Sequence, residues 1–272
     1  MIRRVCSCIL WGTLSVLAGC ATKCGREVTP KAGQVKIFDL GDGVKLEMVW
    51  IEPGGFVMGS PEKEQKPTRN DTQHVVTLTR GYWLGKYEVT QAQWEAVMGS
   101  GSNPSQFKGG NLPVEQVSWD DCQECIRRLN AKLSGEGGGF RLPTEAEWEY
   151  ACRAGTTGGY AGVLRDLGWY DGNSGSTTHP VGEKRANAWG IYDMHGNVWE
   201  WCEDWCGDYP SGSVTDPTGP STGSNRVCRG GSWCCLAAYC RSARRYWLDR
   251  GDRDDALGFR LARTSPSTPA TK

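Results

Sequence analysis

The sequence predicts an α+β domain that is loop-rich, with short strands and few helices. Three observations predict it. Apolar, β-branched runs of strand length stand early in the chain. Three later helix starts carry reciprocal capping signatures. Beyond about residue 155, Gly, Ser, Asp, Asn and Trp dominate, and runs such as "NVWEW" and "RVCRGGSW" are too short for anything but brief strands between ordered loops.

In chain order, Arg3 and Arg4 precede "VCSCILWGTLSVLAG", an apolar stretch too short for a comfortable membrane span. It ends in Leu17-Ala18-Gly19-Cys20, which resembles a bacterial lipobox with Cys20 as the lipidated residue. Residues 1–19 therefore read as a lipoprotein signal peptide and 20–40 as a polar tether. Residues 41–264 read as one domain and 265–272 as a polar tail. The address this implies is the bacterial cell envelope, lipid-anchored at the outer membrane or cell surface.

"VKLEMVWIEPGGFVMGS" reads as a β-hairpin turning at Pro53-Gly54-Gly55, and "HVVTLTRGYWLGKYEV" alternates as one half-buried strand. Thr90 with Gln93, Ser118 with Asp121 and Thr144 with Glu147 then open helices. In each, the hydroxyl can accept an orphan amide while the side chain three residues on reaches back.

Lys plus Arg is 31 and Asp plus Glu is 31, so no long-range field attracts nucleic acid or an anionic surface. Of thirteen cysteines, Cys6 and Cys8 leave with the signal and Cys20 carries the lipid; pairing among the other ten stays open. Cys122 and Cys125 lie one turn apart in a helix with no second pair at zinc-finger spacing, which argues against zinc. "GEGGGF" is a turn and not a phosphate loop, and no nucleophile elbow accompanies His74, His179 or His195. His195 reads as a structural hydrogen-bonder.

Within "YDMHGNVWEW", Asp193 and Glu200 offer hard oxygens and Gly196 lets the backbone turn inward, a set suited to structural calcium. The same residues also suit a turn closed by the Asp193 and Asn197 side chains with no ion.

Seven stretches, taken in order, resemble the formylglycine-generating enzyme (sulfatase-modifying factor) family. They are "GGFVMGS", "YEVTQAQWEAVMG", "PVEQVSWDDC", "RLPTEAEWEYACRAG", "HPVGEKRANAWGIYDMHGNVWEW", "RGGSW" and "GFRLA". The resemblance implies an enlarged C-type lectin fold with bound calcium, to which carbonyls of Gly196 and Val198 would add to Asp193 and Glu200. Catalytic members hold Cu(I) between two cysteines spaced C-x4-C after Gly-Gly-Ser, and use O2 to oxidise a sulfatase cysteine. Here those positions are Cys235 and Cys240. Yet Leu236 stands where catalytic relatives carry His, and Leu261 replaces the cysteine of "GFRCA".

A second resemblance covers the same end of the chain. "RVCRGGSW" followed by "CRSA" and "LGFRLA" is similar to the variable region, here about 229–260, of lectin-like lipoproteins diversified by retroelements through adenine mutagenesis. A scattered AAY codon never becomes Lys, Glu, Gln, Met or Trp. The candidate ligand-binding positions obey that rule: Cys234, Cys235, Leu236, Ala238 and Tyr239, then Arg244, Tyr246, Leu248 and Asp249, then Asp252, Asp254, Asp255 and Ala256. Trp247 breaks it, so it reads as framework along with Trp233, "CRSA" and Gly258-Phe259. The expected function is a surface lipoprotein displaying a diversified site to a protein or other surface ligand, as a monomer and without catalysis. The copper oxidase is the alternative.

Overall fold

Residues 30–61 and 72–264 are described by a computed structural model. The signal peptide, Cys20 and the polar tail lie outside the described residues. The chain opens with β1 (Val35–Asp39) and β2 (Lys45–Ile51), crosses to β3 (Gly54–Met58) and β4 (His74–Leu78), and returns at β5 (Tyr82–Gly85). Helices α1 (Gln91–Met98) and α2 (Trp119–Lys132) precede β6 (Phe140–Arg141), α3 (Glu145–Arg153) and the single turn α4 (Leu164–Leu167). The second half supplies β7 (Trp199–Trp205), β8 (Val214–Thr215), β9 (Asn225–Arg229), β10 (Arg245–Asp249), β11 (Leu257–Gly258) and β12 (Ala262–Thr264).

These strands form three mixed or antiparallel sheets in the orders β1-β2-β5-β12-β6, β10-β9-β7-β11 and β3-β4-β8. Strand β12 slots between β5 and β6, so the end of the domain closes the sheet that its beginning opened. The α+β, loop-rich class with few helices is what the structure has.

The three predicted helices, α1, α2 and α3, start where the capping signatures place them. Thr90, Ser118 and Thr144 each accept from the backbone N–H three residues on, and Gln93, Asp121 and Glu147 each accept the reciprocal N–H. Two strand readings are corrected. The segment around Pro53 is not a hairpin: β2 pairs with β1 and β5, while β3 pairs with β4 and β8 in another sheet. Met48 to Ile51 are all buried, and a strand covered on both faces takes a partner on each edge, leaving none for β3. Likewise "HVVTLTRGYWLG" is two strands. β4 keeps the alternation, but β5 is buried throughout and belongs to the first sheet.

Tryptophan supplies much of the core, and its indole N–H groups tie loops to it. Trp201 donates to the Val117 carbonyl and Trp119 to that of Cys202, both across more than eighty residues of chain. Cys122 and Cys125 lie in this apolar core with their thiols pushed up by burial, Cys125 to about 12. A second framework is ionic. Arg229, Arg245 and Arg260 are among the largest fully buried side chains, and each meets a buried glutamate: Glu149, Glu145 and Glu200 respectively.

Candidate functional site

Two loops extend from the four-stranded sheet: residues 230–244 between β9 and β10, and residues 250–256 between β10 and β11. They border a cavity of about 600 Å³. The first loop leaves β9 through Gly230-Gly231. At Gly231, φ is +76°, and a Cβ there would sit 2.6 Å from Cys240 Sγ and 2.9 Å from its Cα. Only glycine lets the loop fold back this closely.

The loop backbone is fastened from outside. Trp233 N–H donates to Asn197 O, Asp171 N–H to Cys235 O, and Ser242 N–H to Gly159 O. The Tyr160 hydroxyl donates to Ala237 O at 2.7 Å, and Ser174 Oγ to Trp233 O at 2.8 Å. Arg229 donates to the Ser242 and Ala243 carbonyls at 2.9 Å each, while Arg245 makes a two-pronged pair with Glu145. The second loop is held by Trp119 N–H on Arg250 O, Gln116 N–H on Asp254 O and Trp199 N–H on Ala256 O.

Nine of the thirteen sequence-predicted positions line the cavity: Cys234, Cys235, Leu236, Tyr239, Tyr246, Leu248, Asp252, Asp254 and Ala256. The other four do not. Ala238 sits on the Ala237–Tyr239 turn, and the Arg244 guanidinium stands 4.7 Å from the Tyr239 ring centre. Asp249 accepts from Gly251 N–H, and the Asp255 carboxyl is pushed up by burial and by Asp254 beside it. Sequence reasoning missed Trp199, Arg253 and Leu257, which complete the lining. No periodicity or spacing marks them, because sheet pairing and a salt bridge bring them there.

Trp247 is corrected. It is 39 % exposed, next to Tyr246 and Leu248 on β10, and does not hold the loops. The buried run Cys240-Arg241-Ser242-Ala243 does that, together with Arg245 and with Trp233, whose indole donates to Asp255 O.

The two candidate copper ligands differ sharply. Cys235 is held at about 7 by hydrogen bonding from Cys234, helped by Ser232 Oγ at 3.1 Å. Cys240 is fully buried and pushed up to about 12 by that burial. His195 is structural: Nδ1 donates to Cys240 O, Nε2 accepts from Ala161 N–H, and burial lowers the ring to about 4.

The expected calcium residues fit an ion in part. Asp193 Oδ2 accepts from Gly182 N–H, whereas its Oδ1 is buried and accepts no hydrogen bond, as an open coordination position would. Glu88, Asp193 and Glu200 form a buried acidic group facing the single guanidinium of Arg260. Glu200 is otherwise engaged: Arg260 grips both of its oxygens at 2.6 Å and Trp148 donates to one at 2.7 Å. Among the described residues no group of three or more His, Cys, Asp or Glu side chains could hold a metal on its own. Gly196 keeps its sequence-assigned place, with φ +133° and a Cβ that would lie 2.0 Å from Trp169 O.

Fold and site together define a class: a lectin-like, loop-rich α+β domain whose late loops wall a cavity on a rigid frame. The chain belongs to the family of the sulfatase-modifying factor enzyme 1-like domain, which matches residues 42–265. Among solved structures it is similar to Treponema denticola variable protein 1, at 35 % identity and TM-score 0.78, covering 87 % of this chain and all of that one. It is also similar to PvdO from Pseudomonas aeruginosa, at 28 % identity and TM-score 0.74 over the same shares of the two chains. Among characterised enzymes it is 36 % identical to the formylglycine-generating enzyme of Streptomyces coelicolor over 211 residues. That match covers 69 % of this chain but 62 % of the enzyme.

Proposed function

We propose that this protein is a lipid-anchored envelope protein whose late loops form a replaceable ligand-binding site and carry out no chemistry. The observation that carries this reading is the division of labour between 234 and 256. Within 234–256 every side chain facing the cavity except Ala256 is exposed or half-buried, while the loop backbone is fastened by groups outside that segment, among them the buried Asn197, Ser174 and Arg229. A surface held this way tolerates exchange of the residues displayed on it, and preorganised loops lose little entropy when a ligand binds. The likeness to a Treponema variable protein over nearly the whole domain supports the same reading. Cys20 supplies the anchor and the displayed unit is a monomer.

Leu236→Ser and Cys234→Ser should each shift the melting temperature by less than about 2 °C, as substitutions of exposed side chains do. Each should also change which ligands are bound. A drop of 10 °C in either variant, or copper- and oxygen-dependent conversion of a Cys-x-Pro-x-Arg peptide, overturns the reading. The oxidase alternative has against it Leu236, which stands where catalytic relatives carry His, and Leu261, which replaces the cysteine of "GFRCA".

Calcium is part of this proposal, bound at Asp193 Oδ1 with the Gly196 and Val198 carbonyls and bracing the loop behind Trp233. Calcium at ten times its Kd should stabilise the fold by about 1.4 kcal/mol over chelated protein, or roughly 3–5 °C. Asp193→Ala should erase that difference in a thermal melt.

A further inference from the structure

The cavity has two kinds of wall. One is aromatic and apolar: the Trp199 and Tyr246 rings stack at 5.2 Å with 29° between planes, flanked by Leu248 and Leu236. The other is acidic, made by Asp252 and Asp254. Both carboxylates shape their own loop, Asp252 accepting from Asp249 N–H at 3.0 Å and Asp254 from Ala256 N–H at 2.9 Å. Among the described residues neither is ion-paired.

The cations nearby are committed elsewhere. Arg253 lines the cavity, but its guanidinium pairs with Asp121 at 2.7 Å, so the two cancel. Arg250 pairs with Asp120 at 2.8 Å. Arg244 stands over Tyr239, occupying that ring and leaving Tyr246, exposed and stacked on the buried Trp199, as the available aromatic face. The cavity therefore holds two carboxylates with no ion-pair partner among the described residues, together with a π-rich wall.

We propose that the ligand of this cavity presents a cationic side chain, a lysine ammonium or an arginine guanidinium, that enters between the Trp199–Tyr246 stack and the carboxylates of Asp252 and Asp254. This rests on the recognition reading above and adds the ligand's chemistry to it. A cation is drawn to the ring faces and to the carboxylates together, and its aliphatic stem suits the Leu236 and Leu248 walls. An apolar group would strip water from two carboxylates and return nothing. An anion would meet like charge at close range.

Panning the full chain against a random peptide library tests this. Enriched peptides are resynthesised with citrulline for arginine or norleucine for lysine, and affinities are measured by calorimetry. Lys or Arg should recur at one position, and neutralising it should weaken binding about tenfold or more. The Asp252→Asn/Asp254→Asn variant should weaken binding by a similar factor; if it melts far below the parent, the citrulline and norleucine peptides alone decide. Enriched peptides without a recurrent cation, whose binding still depends on Tyr246, overturn this inference and leave the recognition reading standing. A library that yields no binder overturns both.

Discussion

Replacing Arg229 with alanine should cost about 3–5 kcal/mol, the usual consequence of removing one partner of a buried ion pair, and lower the melting temperature by about 10–15 °C. Arg229 is fully buried and has three duties. Its guanidinium pairs with Glu149, approaches Glu145 at 3.6 Å, and donates to the Ser242 and Ala243 carbonyls. Without it, Glu149 keeps, among the described residues, Arg153 and the Gly59 N–H, and two loop carbonyls lose a donor inside the protein. Arg229→Lys keeps the charge but not the geometry of the fork, so its loss should be intermediate. Amide exchange across residues 240–246 should quicken in both variants, while Leu236→Ser leaves it unchanged. Equal melting of Arg229→Ala and parent would show that the ionic frame does not hold the loops.

The second large effect is a pH dependence centred on Asp204. This residue of β7 accepts from Glu145 N–H at 2.9 Å, and burial, reinforced by the Glu145 charge, pushes its carboxyl up to about 8. The ordinary value is near 3.8. Between those values the native state keeps a proton that the unfolded chain gives up, so stability falls as pH rises from about 4 to 8. Above 8 both states are ionised and the loss is complete. Asp204→Asn copies the protonated form and can still accept from Glu145 N–H. The variant should gain on the order of 5 kcal/mol over the parent at pH 9 and almost nothing at pH 4. Subtracting parent from variant melting curves isolates this group from other titrations. A difference that stays flat across pH would mean that Asp204 is ionised in the native state throughout.

What could be read early was local. The three capping boxes join residues three apart, so the whole interaction is written in a four-residue window and needs no knowledge of the fold. Strand pairing is not local. Pro53-Gly54-Gly55 suits a tight turn between neighbours as well as a crossing between sheets, and burial of Met48 to Ile51 between β1 and β5 decided for the crossing. Trp247 shows the same limit. An exclusion rule for replaceable positions makes it framework, yet its place on β10 leaves it on the surface.

The nine cavity positions were reachable because the segment from Cys234 to Ala256 carries no Lys, Glu, Gln or Met, a bias that residue types alone display. Trp199 and Leu257 reach the cavity through parallel pairing of β7 with β11, and Arg253 reaches it through Asp121 on α2. By itself, then, the chain's order determined the helix starts, the family and the segment that borders the cavity. Tertiary structure alone decided which charges there stay unpaired, because compensation of a charge depends on neighbours in space, 130 residues away in the case of Arg250 and Asp120.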